Sequence, residues 1–329
     1  MKKNFLYTLV CAASVAFSMV ASAQDAHFSQ YFASPLYTNP AMTGQINGNV
    51  RLNSLFRTQW APFQGAYTTG SFSADARFNN FGAGLAVIDQ VSGPNDFNRL
   101  SINLSGAYDI AFRSNTNQHL VVGIQAGIYN LSYGNKNVTV GDQYVDGFGA
   151  INAVNEDFNN LSVLSPDLNF GVLWFNGSTR QRWAPFAGAA VFHLLQPYDS
   201  FDKSSRIPMR YLVHAGVRYR TNSAIDIIPN FKASMQGVGL AYNGIVGCNI
   251  NYQLIDTYTS LEAGLGYRLD DAVVPYLGLS YKDFSFGVSY DANISTLSDV
   301  GNNKSALEFS VTYISRRNSV KKQFICPRL

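Results

Sequence analysis

Four histidines, His27, His119, His193 and His214, are the side chains of this 329-residue chain best suited to acid–base work near neutral pH. None stands in a catalytic or zinc-binding spacing, since H-E-x-x-H, G-x-S-x-G and C-x-x-C are all absent. A Ser-His-Asp or Ser-His-Asn set drawn from distant positions stays open on spacing alone. His214, however, lies among arginines, where hydrogen bonding suits it better than proton transfer. The expectation is a non-enzymatic chain without a cofactor. Asp142, Asp146, Glu156 and Asp157 gather carboxylates without the D-x-[DN]-x-[DN]-G spacing of a calcium loop. Hydrated acids are expected there, with a loose calcium site as the alternative. Cys248 and Cys326 read as separate free thiols.

The surroundings of His214 show what must position these groups. In "RIPMRYLVHAGVRYR" every second residue belongs to one of two series. Ile207, Met209, Tyr211, Val213, Ala215, Val217 and Tyr219 form an apolar face; Arg206, Arg210, His214, Arg218 and Arg220 mark the other. A period of two is a strand with opposite faces in opposite environments. The same alternation sets Val50, Leu52, Phe56 and Trp60 against Arg51, Asn53, Arg57 and Gln59. It also sets Leu100, Ile102, Leu104, Tyr108 and Ile110 against Arg99, Ser101, Asn103 and Asp109.

Strands are predicted near 49–60, 65–78, 81–91, 97–112, 118–131, 166–176, 182–195, 206–220, 224–235, 238–254, 258–269, 272–282, 284–293 and 305–315. Each runs to roughly 10–17 residues, where soluble strands average about 5–6 and tilted bilayer-spanning strands need about 9–11. Fourteen such strands imply an all-β, transmembrane outer-membrane barrel with an apolar exterior facing lipid. Arg51, Arg57, Arg206, Arg210, His214 and Arg218 are then expected to face the lumen, and Tyr211, Val213, Val217 and Cys248 the lipid. The short connections, such as "NN" at 79–80 and "TNS" at 221–223, alternate with long ones at 132–165, 196–205 and 294–304, as in barrels with short periplasmic turns.

Composition agrees. Charged residues are 14% of the chain and hydrophobic ones 47%, and a formal charge of +3 gives no reason to expect nucleic acid. Lys2 and Lys3, the apolar run Phe5 to Val20 and Ala21-Ser22-Ala23 read as a cleavable signal peptide over 1–23, with Gln24 first in the mature chain. No later run is long and apolar enough for a membrane helix.

Two segments fall outside the strands. Residues 24–48 contain Phe28, Tyr31, Pro35, Tyr37, Asn39 and Pro40. The prolines forbid a regular element and the aromatics require burial, so a plug in the lumen or a cap on its periplasmic mouth is expected. The barrel follows over 49–315. Residues 316–329 form a short basic periplasmic tail, in which Arg316, Arg317, Lys321, Lys322, Phe324 and Arg328 are candidate partner-binding groups.

"HFSQYFASPLYTNPAMTG", the later "RTQW" and the closing "FICPRL" resemble the PorP/SprF family over essentially the whole mature chain. The resemblance implies a Bacteroidetes outer-membrane protein of the type IX secretion and gliding machinery. Its expected partners are outer-membrane lipid, periplasmic secretion subunits and a cognate secreted adhesin. The alternative is a passive channel whose arginines favour small anionic solutes.

Overall fold

Strands that bury one face in lipid and the other in polar company can leave no edge unpaired, because lipid offers backbone groups no partner. The computed structural model satisfies this by closure. It describes residues 25–59, 67–93, 97–111, 117–133, 144–145, 149–150, 161–178, 181–221, 224–237, 241–254, 258–294 and 305–315. The expected signal peptide, the tail 316–329 with its candidate binding groups, and the carboxylates at 142, 146, 156 and 157 lie outside the described residues.

The strands are β1 Val50–Gln59, β2 Tyr67–Phe78, β3 Phe81–Ser92, β4 Phe97–Ala111, β5 Gln118–Tyr133, β6 Tyr144–Val145, β7 Gly149–Ala150, β8 Leu161–Asn176, β9 Trp183–Phe192, β10 Arg210–Arg220, β11 Ile225–Gln236, β12 Ala241–Gln253, β13 Thr259–Arg268, β14 Ala272–Tyr281, β15 Phe284–Asn293 and β16 Ala306–Ser315. β6 and β7 pair only with each other, inside the longest connection. The other fourteen form one closed antiparallel barrel in which each strand neighbours the next, β5 passing to β8, and β1 closes against β16 in a register from Val50↔Ser315 to Gln59↔Ala306.

Alternation sorts the two faces. Leu104, Tyr108, Phe170, Tyr211, Val213, Val246, Leu265, Leu277 and Phe309 are exposed on the outside, with Cys248 among them. Arg51, Arg57, Asp75, Asp167, Arg210, His214, Arg218, Lys232, Arg268, Asp291 and Glu308 are buried on the inside. The barrel thus has a turn end, at 79–80 and 282–283, and a loop end, at 193–209 and 269–271.

Two strand starts differ from expectation by four residues or more. β8 starts at Leu161 rather than 166 and carries Pro166 within it. It pairs β9 only from Phe170 onward, so Pro166 has a partner strand on one side alone, where a residue without an N–H is tolerated. β10 starts at Arg210, after Pro208, and Arg206 is therefore not a lumen residue. It is exposed in the loop 193–209, bridged to Tyr198, with its guanidinium 4.3 Å from that ring and donating to the Gln196 carbonyl at 3.0 Å.

The lipid face generates one expectation. Leu104 sits midway along β4 and is 68% exposed. Leu104→Arg is expected to cost about 2–4 kcal/mol at the bilayer midplane and to deplete the heat-modifiable folded band on unboiled gels. Leu104→Phe, which keeps the surface apolar, is expected to leave that band intact.

Candidate functional site

The lumen holds the chain's own N-terminal segment. Pro35 opens a single helical turn, Pro35–Thr38, between two 3-10 turns, Tyr31–Ala33 and Pro40–Met42. Thr38 Oγ1 donates to the Tyr31 carbonyl at 2.8 Å, and Asn39 Oδ1 accepts from the Ala41 amide at 2.9 Å. The prolines therefore set short turns, and local side chains satisfy part of the backbone that those turns leave open.

The segment runs the length of the barrel. Asp25 lies at the loop end, where its carboxylate meets His193 Nε2 at 2.8 Å and Arg210 Nε at 3.1 Å. Gly44 lies at the turn end, where its amide donates to Asp75 Oδ2 at 2.7 Å. An N-terminal segment capping a periplasmic mouth was one expectation; instead the described chain begins at the opposite end and descends through the lumen.

Wall side chains supply what the descending backbone lacks. Glu308 accepts from the amides of Ser29 and Gln30 at 2.7 and 2.8 Å, and Asp291 accepts from Ser29 Oγ at 2.7 Å. Arg57 bridges the two carboxylates, reaching Asp291 at 2.8 Å and Glu308 at 2.5 Å, and Arg268 also pairs with Asp291. Tyr31 donates to Asn230 Oδ1 at 2.6 Å, and Gln125 Nε2 to the Leu36 carbonyl at 2.9 Å. Asn39 Nδ2 reaches the Val172 carbonyl at 3.0 Å and His214 Nε2 at 3.1 Å. At the bottom, Arg51 binds Asp75 through both Nε and Nη2 at 2.9 Å and donates to the Met42 carbonyl at 3.1 Å.

The wall also makes room. A Cβ on Gly123 would run into the backbone of Pro40 and Ala41, and one on Gly171 into Asn39 Oδ1. Gly123 needs to be glycine because another piece of backbone passes there, and Gly171 because the Asn39 and Pro40 side chains do. Apolar contacts fill the rest: Phe28 and Ala33 meet Leu55, while Tyr31, Ala41 and Met42 join Val121, Leu173, Phe175 and Phe186. Tyr37 and Phe192 flank the Arg210 guanidinium, which lies 4.4 and 4.2 Å from the two ring centroids.

Of the sequence-derived lumen residues, Arg51, Arg57, Arg210 and His214 touch the segment, Arg218 is buried on the same face nearer the turn end, and Arg206 lies outside. Phe28, Tyr31, Pro35, Asn39 and Pro40 are buried inside the barrel, and Tyr37 is partly buried there. Asp75, Asp291, Glu308, Arg268, Lys232 and Gln125 were not singled out from sequence, although period-two parity puts each on the inward face. His119 belongs to a separate pair at the turn end, with Nδ1 3.0 Å from Asp109 and its ring stacked on Phe175. His193 bridges Asp25 and Asp167 through opposite ring nitrogens. That arrangement is a strut between two carboxylates; no group of three or more metal-binding side chains occurs among the described residues.

The strut is pH-dependent. Burial alone would lower the basicity of His193, but Asp25 and Asp167 outweigh it and raise its pKa from 6.5 to about 9. Burial would likewise raise Asp25, and His193 with Arg210 instead hold it well below the usual carboxylate range. The raised histidine contributes fully below 6.5 and loses its contribution as pH rises through about 9. The depressed Asp25 contributes above 3.8 and loses its contribution as pH falls below that. Amide protection at 25–30, measured relative to the intrinsic exchange rate at each pH, is therefore expected to be greatest between these limits and to fall as pH rises through about 9. A protection factor that stays constant from pH 6.5 to 10 contradicts the strut.

Grip and fit can be tested separately. Glu308→Ala leaves Arg57 with Asp291 alone and strands two plug amides, a loss of up to about 3–5 kcal/mol for a broken buried pair. Gly123→Val leaves every charge in place and blocks the path sterically. Both are expected to convert a nearly silent barrel into a conducting one in planar bilayers, while Glu308→Gln, which keeps the acceptor oxygen, conducts less than Glu308→Ala.

Comparison with known proteins places this architecture. No curated protein matches the chain. Among solved structures, the P. putida toluene transporter TodX aligns at TM-score 0.49 and 9% identity, over 87% of this chain and 94% of its own. A Pseudomonas aeruginosa FadL homologue aligns at TM-score 0.47 and 12% identity, over 85% of this chain and 94% of its own. A family profile described as type IX secretion system membrane protein PorP/SprF matches residues 20–313. With that match running from the start of the lumenal segment through the last strand, the chain belongs to the PorP/SprF family of type IX secretion membrane proteins and resides in the outer membrane.

Proposed function

We propose that this protein is a non-enzymatic docking barrel of type IX secretion: its periplasmic face binds machine subunits and its outer face holds a cognate secreted adhesin. The observation that carries the reading is the filled lumen. With residues 25–46 inside the barrel, and Arg51 and Arg57 paired with carboxylates and the Met42 carbonyl, the lumen leaves a passing solute little room, which argues against the solute-channel alternative. The work of such a barrel falls to its two ends.

At the turn end, periplasmic in barrels of this type, β16 stops at Ser315 and the basic sequence Arg316 to Leu329 follows. Arg316, Arg317, Lys321, Lys322 and Arg328 suit an acidic periplasmic surface, with Phe324 as apolar anchor. Cation contacts at a rim mainly raise association rate and salt sensitivity, whereas a buried aromatic carries affinity. At the loop end, residues 193–209 fold over the lumen through Arg99–Asp199 and Phe97–Phe201 contacts and offer an ordered outer surface.

Deleting 317–329 leaves all fourteen strands, so barrel assembly is expected to persist while co-purification of periplasmic secretion subunits and surface display of the adhesin fall. Phe324→Ala is expected to reproduce most of that loss, and Lys321→Ala only a salt-dependent part. A truncated barrel that keeps its partners and supports display at the parental level rules the tail out.

A further inference from the structure

Most buried charges in the lumen have opposite charges in contact. Arg57 and Arg268 face Asp291 and Glu308, Arg51 faces Asp75, and Arg210 with His193 faces Asp25 and Asp167. Lys232, on the inward face of β11, differs. It is 6% exposed, and among the described residues no carboxylate lies within ion-pair distance of it. Its ammonium has three donors. One makes a 3.4 Å contact with the Phe28 carbonyl, and the Tyr31 ring lies 5.2 Å away. Of the charged groups that act on it, Arg210, Arg268 and Arg57 are cations and Glu308 is the carboxylate, already shared between Arg57 and two plug amides.

Lys232 opens onto a cavity of about 30 Å³ between residues 25–38 of the plug and strands β10 to β12. Arg210, His27, Ser234, Gln236 and Asn243 share its lining. Arg210 is nine-tenths buried and its Nη2 has no hydrogen-bond partner; neither has the buried Nε2 of His27. The His27 ring can donate an N–H into the same cavity. Asp25 also borders the cavity, but its carboxylate is held by His193 and Arg210. The volume admits two or three water-sized particles, on the scale of about 10–15 Å³ each, which suits a halide with a water and is tight for a tetrahedral oxyanion.

We propose that this cavity binds one small inorganic anion of halide size, the counter-ion of Lys232, which bridges the N-terminal plug to β10–β12. A buried ammonium without a counter-charge is costly and is relieved by pairing or by neutralisation. The unpartnered Arg210 nitrogen on the same cavity favours pairing. The anion would also explain why plug and wall tolerate three cations around Lys232.

The test uses the full-length folded barrel in detergent. At equal ionic strength, chloride or bromide is expected to raise the temperature of its heat-modifiable unfolding above that in gluconate, saturably. Bromide-soaked crystals are expected to show an anomalous peak beside Lys232 Nζ. Lys232→Met is expected to lose both effects; should that variant not fold, the bromide experiment on the unmodified protein decides alone. No bromide peak, with equal unfolding in chloride and gluconate, overturns the proposal in favour of a neutral lysine. Stabilisation by sulfate without chloride dependence overturns it as well, because the site would then be built for a larger anion.

Discussion

A fourteen-stranded barrel is wider than its own side chains can fill, since eight strands already suffice for a side-chain core and sixteen leave an aqueous channel. Every other property of this molecule follows from how that space is occupied. The wall cannot be apolar inside as well as outside without losing the contrast that orients the strands. A polar wall without water needs partners for each donor and acceptor. The chain answers both demands by sending residues 25–46 down the lumen, where backbone carbonyls and amides of this irregular segment meet Glu308, Gln125, Asn39 and Arg51 and the Ser29 hydroxyl meets Asp291. Irregular backbone at membrane depth is tolerated in just this situation, shielded from lipid by protein.

Much of this is legible in the sequence because a period of two over ten or more residues is a strong signal. Parity alone separates Arg210 and His214 from Tyr211 and Val213, and the aromatic content of 28–37 already demands burial. Legibility fails where tertiary contacts decide. Arg206 keeps the parity of β10, but Pro208 and the Tyr198 contact place it in the loop. Pro166 reads as a strand start, whereas an unpaired edge lets the strand run through it. The acids at 75, 291 and 308 occupy inward positions in their strands, yet nothing local distinguishes them from solvated carboxylates until Arg51, Arg57 and the plug amides are brought beside them. The downward path of the plug is recorded only in glycines such as Gly123 and Gly171, whose reason is a contact some eighty or more residues away in sequence.

The grip is concentrated on one strand. Arg57, near the loop end of β1, is the register partner of Glu308 on β16; Arg51, near the turn end, is the register partner of Asp75 on β2. The first pair holds Ser29 and Gln30, and the second holds Met42 and Gly44. β1 therefore joins the two ends of the plug to the two strands on either side of it.

That placement couples closure to filling. The β1–β16 seam is the last pairing a linear meander can make, because its strands are the first and last of the barrel. Bringing Glu308 against Arg57 without the plug would bury a carboxylate with two unused acceptor positions, while Asp291 and Arg268 would lack Ser29. With Ser29 and Gln30 in place, the same seam extends one hydrogen-bonded network from wall to plug, in which the bonds polarise one another. The plug is thus best described as a fifteenth, non-strand element of the barrel, bonded to the seam itself. A segment of that kind occupies the lumen through the same contacts that hold the first and last strands together.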